Sequence, residues 1–126
     1  GVEDFISLAQ QFTTFKVKAM RFEVFHISPT TTSPIALSTV HLDGGSPTAL
    51  VTQASVVDGE DSKYMDTGGG KQVFYWNARG TLENAFQSTT QFTDFGGLRY
   101  YNEATSGNFT LARVIVTAQV VFRGRT

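Results

Sequence analysis

Apolar and polar positions alternate most cleanly near the end of the chain, from Phe109 to Arg123. Ala112, Val114, Val116, Ala118, Val120 and Phe122 share one face of an extended strand. The other face is mixed: Leu111, Ile115 and Val121 stand among Arg113, Thr117, Gln119 and Arg123. A helix would scatter these residues around its circumference, so the period predicts a strand. About thirteen such residues reach roughly 40 Å at ~3.3 Å each, well beyond the usual five or six. A strand so long, and half apolar even on its second face, is expected at the centre of a sheet, with neighbours covering it. Gly124 ends it.

The same reading carries along the chain. Phe5, Leu8, Ala9 and Phe12 follow helical spacing within residues 1–13, and Glu3 and Asp4 suit the first turn of a short helix. Phe15 to Ser28 predicts a second long strand. Its apolar phase passes from Phe15, Val17 and Ala19 to Met20, Phe22 and Val24, then shifts again at Phe25 and Ile27. Such slips signal a bulge or a change of covered face. Ser28 to Pro34 is a loop, and Ile35 to Leu42 another strand. Ala49 to Val57 suits either a strand or a short connecting helix. Val51, Thr52, Val56 and Val57 favour the strand.

Asp58 to Asp61 is a polar turn, and Lys63 to Asp66 extends a strand before the Gly68-Gly69-Gly70 loop. Val73 to Trp76 is a strand, and Trp76 is expected in a packed position. Arg79 to Asp94 is irregular, with Leu82, Ala85, Phe86 and Phe92 as expected anchors. Leu98 to Glu103 is a short strand before the last one. Many short-spaced strands and little helix predict one all-β domain over residues 1–126, an antiparallel sandwich or barrel behind an N-terminal helix.

Composition adds limits. Apolar residues make up 40% of the chain, and eleven Phe, four Tyr and one Trp supply core volume. A net charge of −1 does not by itself call for a nucleic-acid or membrane partner. The lack of cysteine removes disulfides, thiolate metal sites and thiol nucleophiles together. No apolar run approaches the ~20 residues of a membrane helix, and no signal peptide is read at the start.

Catalytic chemistry finds little to stand on. His26 and His41 have no acidic or hydroxyl partner at a recognisable spacing, so both are expected to be structural or surface residues. Gly68-Gly69-Gly70-Lys71 departs from a phosphate loop, with Met65 at the first glycine position and Gln72 at the magnesium-binding position. An enzyme is therefore not expected. Asn108-Phe109-Thr110 matches a glycosylation acceptor but leads into a strand expected to be buried.

Two clusters are worth following. Asp58, Glu60 and Asp61 offer oxygen ligands to a hard cation such as calcium, although a solvated turn is the ordinary reading of such a run. Lys16, Lys18 and Arg21 lie on or near one polar stripe, while Arg113 and Arg123 share a face of the last strand. Pairing of the two strands would merge these into a weak basic surface, able to contact phosphates without reading sequence. Ordinary surface charge is the competing reading.

The two ends of the chain resemble a known family. Leu8-Ala9-Gln10-Gln11-Phe12 leads into Phe15-Lys16-Val17-Lys18-Ala19-Met20-Arg21-Phe22-Glu23-Val24, and Pro29 closes the strand. This resembles the entry to the first jelly-roll strand in coat proteins of small icosahedral viruses, of the tombusvirus and nodavirus shell-domain kind. Gly107-Asn108-Phe109 through Val121-Phe122-Arg123-Gly124 is similar to their last strand, and Val57 to Ser62 to their acidic turn. The basic arm that packages genome in many of these proteins is not among the residues here.

The resemblance implies a single jelly roll: two sheets, about eight strands in Greek-key order, the first and last long strands side by side. It implies a capsid subunit of the virion, with no cofactor unless a structural calcium ion sits at subunit contacts. Its partners would be copies of itself and a viral genome, RNA rather than DNA, held without sequence specificity. Lys16, Lys18, Arg21, Arg113 and Arg123 are the candidates to face that genome. Asp58, Glu60 and Asp61 are the candidate cation site, and Pro29, Pro34, Pro47, Phe92 and Phe95 mark the loops expected to meet other subunits. The competing class is a sandwich module that binds glycan or receptor through loop aromatics such as Tyr100 and Tyr101.

Overall fold

The computed structural model describes residues 2–26, 35–42, 52–65, 70–92, 94–101 and 112–125. In chain order these form α1 (Val2–Ala9), β1 (Phe12–His26), β2 (Ile35–His41), α2 (Gln53–Val57) and β3 (Glu60–Met65). There follow β4 (Gly70–Asn77), α3 (Gly80–Glu83), β5 (Gln87–Ser88), β6 (Gly96–Tyr101) and β7 (Ala112–Arg125). The strands make two antiparallel sheets, one of four strands around β1 and one of three in the order β3-β2-β6. The all-β sandwich class expected from the sequence is therefore present, and its first and last long strands pair side by side.

β7 pairs with β1 from Phe12↔Arg125 to His26↔Ala112, occupying one edge of β1 over its whole length. β4 and β5 must then share the other edge, β4 along Ala19–His26 and β5 at Thr14 and Phe15. The β1–β7 register shifts between Val17 and Ala19, which leaves Lys18 as the extra residue of a bulge. Phe15 and Val17 are buried before the bulge, Phe22 and Val24 after it. The first slip of apolar phase read in the sequence is thus a physical bulge, and the Lys18 carbonyl it turns aside accepts a bond from the Ala78 N–H at 2.9 Å.

The core fills the space between the sheets. Phe15, Val17, Phe22 and Val24 of β1 and Phe74 and Trp76 of β4 meet Ile35 and Leu37 of β2. Trp76 is fully buried, as expected, and its indole N–H ties the sheets by donating to the Val40 carbonyl at 3.0 Å. A Cβ on Gly96 would strike both the Trp76 Nε1 and that carbonyl, and Gly96 has φ +149°, so only glycine fits there. α1 docks through Phe5, whose ring meets Phe15 edge-on at 5.2 Å and Phe122 at 5.5 Å.

Three expectations are corrected. Residues 53–57 form a helix, not a strand. The Thr52 hydroxyl accepts from the Ser55 N–H and the Ser55 hydroxyl from the Thr52 N–H, a reciprocal cap that outweighs the β-branched residues. The helix also buries Val56 completely. Next, Leu82 is 71% exposed and Ala85 is exposed, so neither anchors 79–94, whereas Phe86 is half-buried and Phe92, though 55% exposed, keeps its ring on Phe15. Among the described residues of that segment the buried one is Glu83.

The third correction concerns β7. Among the described residues it pairs with β1 alone, so it lies at the edge of its sheet. Its stretch 113–119 is exposed, with Val114, Ile115 and Val116 at 46%, 46% and 54%. Apolar content on both faces led to the expectation of a covered central strand. It reports what the strand can bury, not which neighbours the chain supplies.

Candidate functional site

The outer face of the four-stranded sheet follows from register. Residues directly opposite on paired strands project to the same side. Phe22 and Val24 face the core, so their β1 neighbours Arg21, Glu23 and Phe25 face outward. Outward with them go the β7 partners Thr117, Ile115 and Arg113. Before the bulge Lys16 and Thr14 face out, opposite Val121 and Arg123. The fold therefore brings Lys16, Arg21, Arg113 and Arg123 to one sheet face. Lys18 is exposed at the bulge and has no partner in the β7 register.

This face is organised in two ends. At one end Lys16 Nζ and the Arg123 guanidinium lie 4.9 Å and 3.9 Å from the centroid of the same Phe86 ring. The ring's quadrupole draws both cations and holds them near each other without a carboxylate. At the other end Arg113 stands beside Phe25, and Lys71 of β4 stands on Phe25's opposite flank. Glu23 lies between, 3.4 Å from both Arg21 Nη1 and Lys71 Nζ. Arg113 and Arg123 are ten residues apart on one strand, about 33 Å at ~3.3 Å per residue. Among the described residues Lys16, Arg113 and Arg123 have no carboxylate partner, so their charge is available to an anionic surface.

The acidic turn is built differently from the sequence expectation. Asp58 closes α2 with its backbone N–H, and Glu60 already opens β3. The Glu60 carboxylate takes both its bonds from Arg79 Nη1, at 2.8 Å each. Asp61 has φ +49° where the β2–β3 register shifts, and its carboxylate is 3.7 Å from Lys63 Nζ. Among the described residues no group of three acidic or histidine side chains has the geometry to hold a metal ion.

Behind this turn lies a buried polar network. His41 Nδ1 is 2.8 Å from Glu83 Oε1, and Glu83 also accepts from the backbone N–H groups of Leu42 at 2.8 Å and Arg79 at 3.0 Å. The His41 ring stacks on Trp76 at 5.3 Å. Three donors on a buried carboxylate fix the α3 turn against the end of β2, a structural role. The His26 side chain lies outside the described residues.

Of the expected subunit-contact residues, Pro29, Pro34 and Pro47 lie outside the described residues. Phe92 is more than half exposed while its ring meets Phe15 edge-on at 5.3 Å. Phe95 packs on Trp76 at 5.7 Å and belongs to the core margin. Phe92 belongs to an apolar groove of about 820 Å³ between α1 and the inner face of β7, lined by Phe5, Leu8, Met20, Val116 and Val120. A second apolar cavity, about 300 Å³, lies where Val114 meets Ile35, Leu37, Leu98 and Tyr100 of the facing sheet. Among the described residues, the side of the sandwich bearing β7 is therefore incompletely filled.

Comparison with known proteins gives no match to a family model, to a curated protein or to a solved structure.

Sequence reasoning missed Phe86 as the common ring of Lys16 and Arg123, and it missed Lys71. Both depend on strand neighbours far apart in sequence. It also missed Glu83, which no local pattern distinguishes from a surface glutamate.

Proposed function

We propose that this chain is a structural subunit that self-assembles into a closed capsid, its fold a single jelly roll like that of the coat proteins its two ends resemble. The observation that carries the reading is β7: a 14-residue strand, apolar on its inner face and mixed on its outer one, lying half exposed at what is, among the described residues, a sheet edge beside apolar grooves. A chain that leaves such a surface open associates through it. Repeated use of the same patches closes a symmetric shell, and many weak contacts made together hold it. The side-by-side β1 and β7 support the jelly roll.

In this reading the Lys16–Phe86–Arg123 end and Arg113 face the enclosed genome and bind phosphates by charge alone. A sandwich module that binds glycans is the second reading, favoured by Tyr100 and Tyr75 at 65% and 62% exposure. The two tyrosines lie on different sheets, so they do not form one stacking platform.

Light scattering on a size-exclusion column, with absorbance at 260 and 280 nm, tests the proposal. A megadalton particle with a raised 260/280 ratio is the expected result. A megadalton particle free of nucleic acid would keep the shell and remove the genome-facing role. A species that stays small across salt, pH and added calcium would overturn the capsid and direct attention to glycan screening.

A further inference from the structure

We propose that the edge of β7 left unpaired among the described residues pairs antiparallel with β7 of a second copy, about a two-fold axis through Ala118. The inference rests on the self-association reading and names the surface that begins it. A two-fold contact joins a patch to itself, so an edge strand can form one only if its own sequence is self-complementary when reversed. β7 meets that condition. Centred on Ala118, Val116 comes opposite Val120, Val114 opposite Phe122, Ile115 opposite Val121 and Thr117 opposite Gln119. Every apolar residue from 114 to 122 meets an apolar one, and the two polar residues meet each other.

The faces agree as well. Val114, Val116, Ala118, Val120 and Phe122 point to the inner side in one copy, so the reversed strand continues the same side. Phe122 of the partner subunit would stand beside Val114, at the mouth of the 300 Å³ cavity. Val120 of the partner subunit would stand beside Val116, over the 820 Å³ groove. The stretch from Val114 to Phe122 also carries no proline and no charge, and the register shift opposite Gln119 and Val120 has its extra residue on β1, not on β7, so two of the usual protections of an edge are missing.

Size and charge set the strength. Fourteen residues span about 46 Å, and a sandwich edge about 10 Å deep gives on the order of 1,000 Å² for the pair, the low end for specific contacts. At each end Arg113 of one copy comes opposite Arg123 of the other, a like-charge pair that weakens the seam. The pairing is therefore weak in dilute, low-salt solution. It strengthens when salt shortens the screening length from about 10 Å to about 3 Å between about 0.1 M and 1 M. Binding to a nucleic acid runs the other way, falling as salt rises, so the two contributions separate.

The chain has no cysteine, so one introduced thiol reports the register directly. Opposed residues of an antiparallel pair have Cα atoms about 4.5–5.5 Å apart, within disulfide range. In the seam a thiol introduced at position 118 would face its own copy, whereas two thiols introduced at position 114 would lie about 26 Å apart at ~3.3 Å per residue. Full-length Ala118→Cys and Val114→Cys proteins are oxidised mildly, and in parallel treated with a short bis-maleimide that tolerates strained geometry. Covalent dimer is expected from Ala118→Cys at least about tenfold faster than from Val114→Cys, as contact raises effective concentration toward millimolar. The rate should rise with salt.

Equal rates for the two variants, or no dimer from Ala118→Cys, would overturn the seam. Scattering on the same samples keeps the outcomes apart. Large particles without covalent dimer from Ala118→Cys sink the seam and leave the capsid reading standing, whereas small species without dimer sink both. Covalent dimers of Ala118→Cys that never grow support the seam and overturn the shell.

Discussion

β2 and β7 invert what their sequences suggest. β2, Ile-Ala-Leu-Ser-Thr-Val-His, carries three polar residues, yet all seven residues are buried, Ser38, Thr39 and His41 included. β7 is longer and richer in Val and Ile, yet its middle is exposed. The difference is in neighbours. β2 has β3 and β6 on its two edges and the sheets' core and α2 around it, while β7 has β1 alone among the described residues. Two of the polar residues buried in β2 find partners: the Thr39 hydroxyl donates to the Glu60 carbonyl at 3.2 Å, and His41 meets Glu83. Burial follows the topology, and side-chain chemistry decides only whether a position tolerates it.

This contrast can be broken or sharpened by substitution in the two strands. The largest effect is expected for Leu37→Ala in β2, which empties core volume and should cost about 2–5 kcal/mol by denaturant unfolding. Glu83→Ala strands the Leu42 and Arg79 N–H groups and the His41 ring, and should cost about 3 kcal/mol in the same assay. Ser38→Ala should go the other way. The Ser38 hydroxyl is fully buried and has no hydrogen-bond partner among the described residues, so its removal is expected to leave the denaturation midpoint unchanged or raise stability by up to about 1 kcal/mol.

The smallest effect on folding is expected for Val116→Ala in β7, within about 0.5 kcal/mol for the dilute monomer. The same substitution should weaken concentration-dependent association in light scattering. If Val116→Ala costs the monomer as much as Leu37→Ala, β7 is covered within one chain and the contrast between the strands fails.

Much of this was legible from residue order. The period of two identifies β1, β4 and β7 and puts Arg113 and Arg123 on one face of the last strand, whereas Lys16 and Arg21, of opposite parity, come to that same side only through the bulge and the pairing of β1 with β7. The slip of phase at Ala19 and Met20 announces the bulge. What could not be read is which strand lies beside which. A strand's pattern describes its faces, while its edges are satisfied by backbone bonds that carry no sequence signature. The edge position of β7 is therefore invisible in its own residues. The helix at 53–57 was hidden for another reason: its cap lies in two side chains, Thr52 and Ser55, amid residues that favour strand. Glu83 was hidden because its three partners are Leu42, His41 and Arg79, two of them some forty positions away.

The bulge at Lys18 also fixes where the chain tolerates a change of length. On either side of it the β1 ladder is in register with β7, Val17 with Val120 and Ala19 with Gln119. Loss of Lys18 would join these into one unbroken ladder, with Val17 inward, Ala19 outward and Met20 inward, and every inward residue would keep its neighbour. Loss of Arg21 would instead turn all that follows or precedes it to the wrong side. A one-residue deletion in this ladder therefore keeps the faces only when it falls at the bulge.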